Sequence, residues 1–184
     1  INGSLPYLMS EILGKKIYGH TCNIRNKNDS NFRFIPYHQD SAYILPSSFE
    51  NDEFLQITCW LPLVDVFHEN GTIEVVSDFE NKQLKHILKN GYMQIEQTPK
   101  SIPLILKAGT LVLMHHNLVH GSKMNKTSST RWSVDFRYQN IQIPFRNMKQ
   151  GFEVYPNKEL SFSEYIQRRT RLKNSETHKY SLIK

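Results

Sequence analysis

Alternation of apolar and polar side chains predicts that the middle of the chain is built mainly from strands. Residues 131–139 (RWSVDFRYQ) alternate with a period of two, as a strand with one buried face does. Residues 54–66 (FLQITCWLPLVDV) are rich in β-branched and aromatic side chains and predict a core strand interrupted near Pro62. Residues 31–40 also alternate and predict a strand in which Pro36 lies at a sheet edge or a bulge.

Turn signals connect these segments to further strands. Residues 69–71 contain Asn-Gly, which accepts positive φ, and predict a hairpin between the strand over 54–66 and a second strand over 72–76. Residues 102–106 and 110–114 form another strand-turn-strand unit around an Ala-Gly pair.

Helical spacing of apolar residues occurs towards the ends of the chain and once in its interior. Residues 5–13 predict an amphipathic helix with Ser4 as its N-cap and Gly14 as its stop. Residues 78–88 predict a helix or a loose helical insertion, closed by the Asn-Gly that follows. Residues 161–172 begin with a Ser-x-x-Glu capping box and predict a basic terminal helix.

Together these elements predict a mainly β fold with flanking helices and a double-stranded β-helix core, the jelly-roll or cupin-like architecture. Residues 17–31 mix strand-like and turn-like side chains and end in a polar cluster that predicts a loop. A length of 184 residues and no repeat of 20 to 50 residues predict that 1–184 is a single domain. Ligands of such barrels bind in the mouth between the sheets.

Net charge and cysteine content indicate which kinds of binding partner and which cellular compartment to expect. The formal charge of +6 would suit an anionic ligand or a nucleic acid, but the cationic residues are scattered except over 168–173, where a solvated helix face is favoured. We therefore predict no nucleic-acid partner, and no apolar run approaches the roughly 20 residues that cross a bilayer. Cys22 and Cys59 form no disulfide framework or CxxC motif, so we predict two buried thiols in a cytoplasmic protein.

Two imidazoles and one carboxylate are the candidate chemistry. On a strand, His38 and Asp40 at i and i+2 point the same way, and His120 would complete the site from another strand. Such a facial triad leaves positions open on Fe(II) for a cosubstrate and dioxygen. The ligand types alone do not exclude zinc. His115 and His116 compete with His120, but neither precedes Gly-Ser, and we predict structural or pocket-lining roles for them.

Several ordered motifs resemble those of the phytanoyl-CoA dioxygenase family of Fe(II)- and 2-oxoglutarate-dependent oxygenases. The matching pieces are 38–40 (HQD), 60–65 (WLPLVD), 70–76 (NGTIEVV), 108–110 (AGT), 120–122 (HGS), Asn125, Ser128 and Arg131. The resemblance covers roughly 31–140, and it departs after Val76, where SDFE stands in place of the family's Pro-Gly-Ser-His. Family members carry more helical sequence ahead of the first motif, so the chain is expected to be short or truncated at its N-terminus.

The resemblance implies a role for each matched position. The implied metal ligands are His38, Asp40 and His120, the implied cosubstrate residues are Arg131, Ser122, Trp60 and Asn125, and the substrate candidates are Tyr37, Gln39, Tyr43 and Arg33. The planar fork of Arg131 would hold the distal carboxylate of 2-oxoglutarate, a geometry that lysine cannot supply. Arg137 is a further candidate for an anionic substrate group, although a solvated or ion-paired arginine is the more frequent case.

The implied activity is hydroxylation of an unactivated C–H bond of a small metabolite with O2, releasing succinate and CO2, with ascorbate as an additive in vitro. The presence of Asp40 favours hydroxylation over halogenation, which uses a small residue at that position. Three alternatives stay open: an acyl-CoA α-hydroxylase, a non-catalytic jelly-roll module that binds metal and a small acid, and a cupin-like hydrolase or isomerase using Zn or Mn. The sequence predicts no oligomeric state.

Overall fold

A computed structural model describes residues 4–14, 16–28, 34–44, 55–78, 81–97, 99–140 and 152–154. In chain order, its elements are α1 (Ser4–Leu13), β1 (Ile17–Lys27), β2 (Ile35–His38), α2 (Ser41–Ile44), β3 (Gln56–Pro62), β4 (Ile73–Val75), β5 (Ile87–Lys89), β6 (Tyr92–Gln94), β7 (Ile102–Pro103), β8 (Val112–His115), β9 (His120–Ser122), β10 (Arg131–Gln139) and β11 (Phe152–Val154). Most of these elements are strands, as the alternation predicts.

Two antiparallel sheets form the core. The major sheet has five strands in the order β11-β1-β10-β3-β8, and the minor sheet has four in the order β2-β9-β4-β7. From β1 to β4, and again from β7 to β10, strands that follow one another in sequence alternate between the two sheets, as in a jelly roll. The mainly β fold with a jelly-roll core is confirmed.

Apolar side chains pack against each of the two faces of the major sheet. On one face, α1 buries Met9 and Leu13 against Ile17, Ile57 and Cys59. The helix ends as predicted, because Gly14 has φ 88° and its N–H donates to the carbonyl of Ser10 at 2.9 Å.

A second cluster of buried residues joins the two sheets. Its members are Trp60, Val66, Ile73 and Met114. They come from β3 and β8 of the major sheet, from β4 of the minor sheet, and from the segment after β3. This packing fixes the separation of the sheets and so defines the width of the space between them.

The predicted hairpin between 54–66 and 72–76 is wrong. The Asn-Gly turn is present, with Gly71 at φ 71°, but β3 pairs with β8 and β10 whereas β4 pairs with β7 and β9. The turn therefore carries the chain from one sheet to the other. The predicted loop at 26–31 also begins too early, because β1 continues to Lys27 as a long strand paired with β10.

The predicted helix over 78–88 is also wrong. Residues 81–86 carry no helix, and β5 pairs with β6 in a separate hairpin through the turn at Asn90 and Gly91, which have φ 52° and 80°. Ile87 and Leu88 belong to a strand rather than to a helix face, and Leu84 precedes that strand. The terminal helix predicted over 161–172 lies outside the described residues.

The two thiols differ in their surroundings. Cys59 is buried against Met9, whereas Cys22 is exposed, contrary to the expectation that both are buried. No helix among the described residues is long and apolar enough to cross a bilayer.

Candidate active site

The two histidines are brought together by strand pairing. His38 at the end of β2 lies directly opposite His120 at the start of β9, and their ring centroids are 4.5 Å apart. Opposed residues in an antiparallel pair point to the same face, so both rings project into the space between the sheets. Pro36 lies in β2, which is an edge strand with an irregular register at this point, as predicted.

Asp40 reaches the same point from the turn after β2 rather than from the strand itself. It lies immediately before α2, so the strand alternation that placed it beside His38 does not apply. One ligand atom from each of His38, Asp40 and His120 nevertheless lies within 4.8 Å of the others, and all three residues are buried. Within the described ranges, no other group of three His, Cys, Asp or Glu residues meets this criterion.

Backbone carbonyls orient both imidazoles. The Nδ1 of His38 lies 2.8 Å from the carbonyl of Pro36, and the Nδ1 of His120 lies 2.9 Å from the carbonyl of Leu118. An Nδ1–H that donates to a carbonyl leaves Nε2 as the lone pair available for a metal. Burial, assisted by the neighbouring His120, lowers the pKa of His38 to about 3, so this ring is neutral at physiological pH.

The carboxylate of Asp40 is held by residues of the major sheet. Thr58 donates to its Oδ2 at 2.5 Å, and Arg137 Nη2 donates to its Oδ1 at 2.9 Å. Burial alone would raise the pKa of Asp40, but Arg137 and the two imidazoles outweigh it and hold the pKa below its usual range. The carboxylate is therefore ionised and oriented before any ligand arrives.

A cavity of about 310 Å³ opens beside these three residues. Arg131 lines it, with its guanidinium 5.7 Å from the ring centroid of Trp60 and its Nη1 donating to Ser133 Oγ at 2.9 Å. Its Nε is buried without a hydrogen-bond partner. Burial, with Arg25 nearby, lowers the pKa of Arg131 to about 10, which still leaves the group charged. A buried cation without an anionic partner is costly unless a ligand supplies one.

A second buried cation, Lys27, lies near Arg131. The two residues are opposed in the β1–β10 register, and Lys27 Nζ donates to Ser122 Oγ at 2.7 Å and to the carbonyl of Lys123. Burial, with Arg131 adding to it, lowers the pKa of Lys27 to about 7. Lys27 is not predicted from the sequence, because the polar cluster around it indicates a loop rather than the end of a strand.

The remaining predicted cosubstrate residues fall into two groups. Trp60 and Ser122 line the cavity with Arg131. Asn125 instead braces the loop after β9, because its amide donates to the carbonyls of Lys27 and Ser129 at 2.8 and 2.7 Å.

The substrate candidates are also divided. Tyr43 lines the cavity and contacts the His38 ring edge-on, with centroids 5.4 Å apart. Tyr37 instead bonds Glu74 and Ser101 through its hydroxyl, and the buried Gln39 is held by the backbone of 82, 84 and 117. Arg33 lies outside the described residues.

The two histidines that compete with His120 as metal ligands lie outside the three-residue cluster. His115 and His116 stack on each other with centroids 4.2 Å apart, and His116 Nδ1 accepts a hydrogen bond from the backbone N–H of Gln56 at 3.1 Å. Burial lowers the pKa of His116 to about 4. Neither residue belongs to the cluster formed by His38, Asp40 and His120.

One sequence signal would have found more of the site. The polar positions of the strand 131–139 share one face, and that face is the cavity wall: Arg131, Asp135 and Arg137 all line the cavity. Alternation is usually taken to predict an apolar inward face, whereas the inward face of β10 is polar. Thr58 was missed for a simpler reason, because a threonine in a core strand gives no sign of its partner.

Similar folds occur among known non-heme oxygenases. The chain resembles ThoJ, described as a non-heme monooxygenase, with a TM-score of 0.59 and 16% identity over 92% of this chain and 72% of that one. It resembles EvdO2 from Micromonospora carbonacea var. aurantiaca in complex with 2-oxoglutarate, with a TM-score of 0.63 and 14% identity over 79% and 66% of the two chains.

A third similar structure is SnoK, a non-heme α-ketoglutarate-dependent carbocyclase from nogalamycin biosynthesis. The TM-score is 0.56 and the identity 17%, over 80% of this chain and 62% of SnoK, so part of that protein has no counterpart here. At such identities these structures establish the fold, and no curated protein sequence matches the chain. The fold and the buried cluster of two histidines and a carboxylate define a jelly-roll protein with a candidate metal centre.

The particular family follows from the sequence match. The family model for phytanoyl-CoA dioxygenase (PhyH) matches residues 8–133. The chain belongs to this family, which places it among the 2-oxoglutarate-dependent oxygenases and confirms the resemblance drawn from the motifs.

Proposed function

We propose that the chain uses Fe(II), bound by His38, Asp40 and His120, and 2-oxoglutarate, bound by Arg131, to hydroxylate a C–H bond of a small metabolite. The observation that carries this proposal is that one cavity adjoins both the three-residue cluster and the buried guanidinium of Arg131. We further propose that residues 1–184 act as one catalytic domain.

The described residues fit both groups. Two imidazoles whose Nδ1 atoms face backbone carbonyls, together with one ionised carboxylate, are the donor set that suits Fe(II) with open positions. The buried Nε of Arg131 has no hydrogen-bond partner among the described residues, and a carboxylate would satisfy it and neutralise the guanidinium. Ser122 and Trp60 would bound the same subsite, and Lys27 would hold the Ser122 hydroxyl in place.

The metal and the keto acid, when bound, supply the oxidising chemistry that removes a hydrogen atom from the substrate. The protein orients and protects the reacting groups. The carbonyls of Pro36 and Leu118 hold the two rings, while Thr58 and Arg137 hold the carboxylate. All three residues of the cluster are buried, which limits their exposure to bulk water.

The size of the cavity supports a small metabolite over an acyl-CoA. About 310 Å³ must hold 2-oxoglutarate as well as the substrate, and this volume lies at the lower end of the range for small-molecule sites. A CoA thioester would have to leave most of its length outside the described walls. Release of succinate and CO2 accompanies the proposed hydroxylation.

The test is production of succinate from 2-oxoglutarate by the purified protein with Fe(II), ascorbate and O2, with and without a library of small metabolites. We expect slow turnover alone and faster turnover with a substrate. Asp40→Ala should abolish it, while Asp65→Ala, which removes an exposed carboxylate, should not. Binding of 2-oxoglutarate with no succinate under any condition would instead support a non-catalytic module.

A further inference from the structure

The charges on the cavity wall are unequal. Among the residues that the structure describes, the charged side chains lining the cavity are Arg25, Asp40, Arg131, Asp135 and Arg137. Three cations thus face two anions. A charge in a buried or partly buried wall needs a partner of opposite sign. The pairing of these groups therefore indicates the charge of the ligand that the cavity binds.

One pair is closed within the protein. Arg25 Nε lies 2.5 Å from Asp135 Oδ1, and the amide of Asn23 donates to Asp135 Oδ2 at 2.8 Å. The remaining cations are Arg131 and Arg137. If the proposed function holds, on which this inference rests, the distal carboxylate of 2-oxoglutarate neutralises Arg131.

Arg137 has a partner that it must share. Its only described anionic partner is Asp40, at 2.9 Å from Nη2 to Oδ1, and the same Oδ1 lies 3.8 Å from His38 Nε2. A divalent ion held by the cluster would take up the negative charge of Asp40. The guanidinium would then keep its hydrogen bond but lose most of its electrostatic compensation.

The charge balance of the loaded cavity follows. The two positive charges of the ion match the two negative charges of 2-oxoglutarate, so the wall keeps one positive charge in excess. That charge is on Arg137, whose buried Nε also has no hydrogen-bond partner and whose side chain is 15% exposed. A neutral substrate would leave this cation uncompensated beside the reacting centre.

We propose that the substrate carries an acidic group, a carboxylate or a phosphate ester, and that Arg137 binds it. Arg137 follows Arg131 by six residues on the same face of β10, which separates their Cα atoms by about 20 Å at roughly 3.4 Å per residue. The substrate anion therefore binds away from the cosubstrate subsite and does not compete with 2-oxoglutarate. Contact between Arg137 and Asp40 places the anion close to the metal ligands.

The test is a titration of matched acid and neutral probes into protein saturated with Mn(II) and 2-oxoglutarate, followed by calorimetry. The pairs are hexanoate with hexanamide, benzoate with benzamide, and phenyl phosphate with phenol. We expect the acid of at least one pair to bind at least about tenfold more tightly than its neutral partner, a difference of about 1.4 kcal/mol. The first two pairs report a carboxylate site and the third a phosphate site.

Variants assign the preference to one side chain. Arg137→Gln keeps a donor for Asp40 but removes the charge and should abolish the preference, whereas Arg137→Lys keeps the charge and should retain part of it. Lys107→Gln removes an exposed cation and should change nothing. Equal binding of acids and neutral partners, a preference that survives in Arg137→Gln, or no acid bound at millimolar concentration would each overturn the proposal. Failure of the wild type to bind 2-oxoglutarate would instead overturn the proposed function beneath it.

Discussion

His38 and His120 occupy directly opposed positions in the β2–β9 pairing, with their ring centroids 4.5 Å apart. Their relative position is set by the register of two strands of the minor sheet, and each ring is further fixed by its own carbonyl partner. The nitrogen donors are thus preorganised, and their loss cannot be compensated by a flexible neighbour.

Replacing either ring should remove the metal. We expect His38→Ala or His120→Ala to weaken Co(II) binding by more than about 100-fold, because loss of a ligand exceeds the effect of changing an outer partner. Absorption titration of the purified protein measures this directly. His68→Ala, which alters a half-exposed ring near Glu74, is the matched control and should bind as the wild type does.

Arg131→Met should separate ligand binding from stability. Loss of the guanidinium should cost about 2–5 kcal/mol of 2-oxoglutarate binding, which is at least about 30-fold in affinity. The ligand-free variant should unfold at the same or a higher temperature, since a methionine removes a buried cation that has no anionic partner in the described part of the chain. A large drop in the melting temperature of the ligand-free variant would contradict this account of Arg131.

Lys27 should make the stability of the ligand-free protein depend on pH. Its pKa of about 7 in the folded state lies below the ordinary value of 10.5, so between these values the unfolded chain binds a proton that the folded chain does not. The free energy of unfolding should therefore rise with pH across this window, by at most about 1.4 kcal/mol per pH unit. Below pH 7 both states are protonated and the full penalty is present.

Denaturant unfolding at pH 7 and pH 9 measures the effect. Lys27→Met should lose most of this rise and should gain stability over the wild type at the lower pH. Lys107→Met is the control, because the pKa of the exposed Lys107 is raised rather than lowered. Parallel pH profiles for the wild type and Lys27→Met would show that the amine is fully charged in the folded state.

Gly71 should tolerate no side chain. It has φ 71°, and a Cβ at this position would lie 2.6 Å from the carbonyl oxygen of Lys123 and 2.8 Å from Lys27 Cδ. Gly109 has a similar φ of 83° but nothing within 4 Å of the added carbon. Gly109→Ala should therefore show only the backbone strain of about 1–2 kcal/mol, and Gly71→Ala should exceed it by about 1–3 kcal/mol. Equal losses in denaturant unfolding would show that the loop near Lys123 can move aside.

The sequence predicted the parts of the fold that depend on local pattern. The strand over 131–139 and the helix that ends at Gly14 are both found, because alternation and capping act over a few neighbouring residues. Pairing between strands depends on distant residues, and here prediction was weaker. The Asn-Gly turn at Gly71 indicated a hairpin, but only the packing of two sheets decides that its flanking strands separate.

For the candidate site too, residues recognisable from their type and spacing were predicted, whereas a residue placed by strand pairing was not. His38, Asp40 and His120 were identified from their types and spacing, although Asp40 follows the strand instead of lying on it. Lys27 could not be identified, because its position beside Arg131 follows from a β1–β10 register that no local pattern reveals.

The two sheets contribute differently to the cluster around Asp40. The minor sheet provides both imidazoles, while Thr58 and Arg137, which hold the carboxylate, are opposed residues on neighbouring strands of the major sheet. An ion bound there would link the minor sheet to the major sheet. Metal binding should then oppose separation of the two sheets, and mutations far from the cavity that raise the population of molecules with separated sheets should lower the apparent metal affinity.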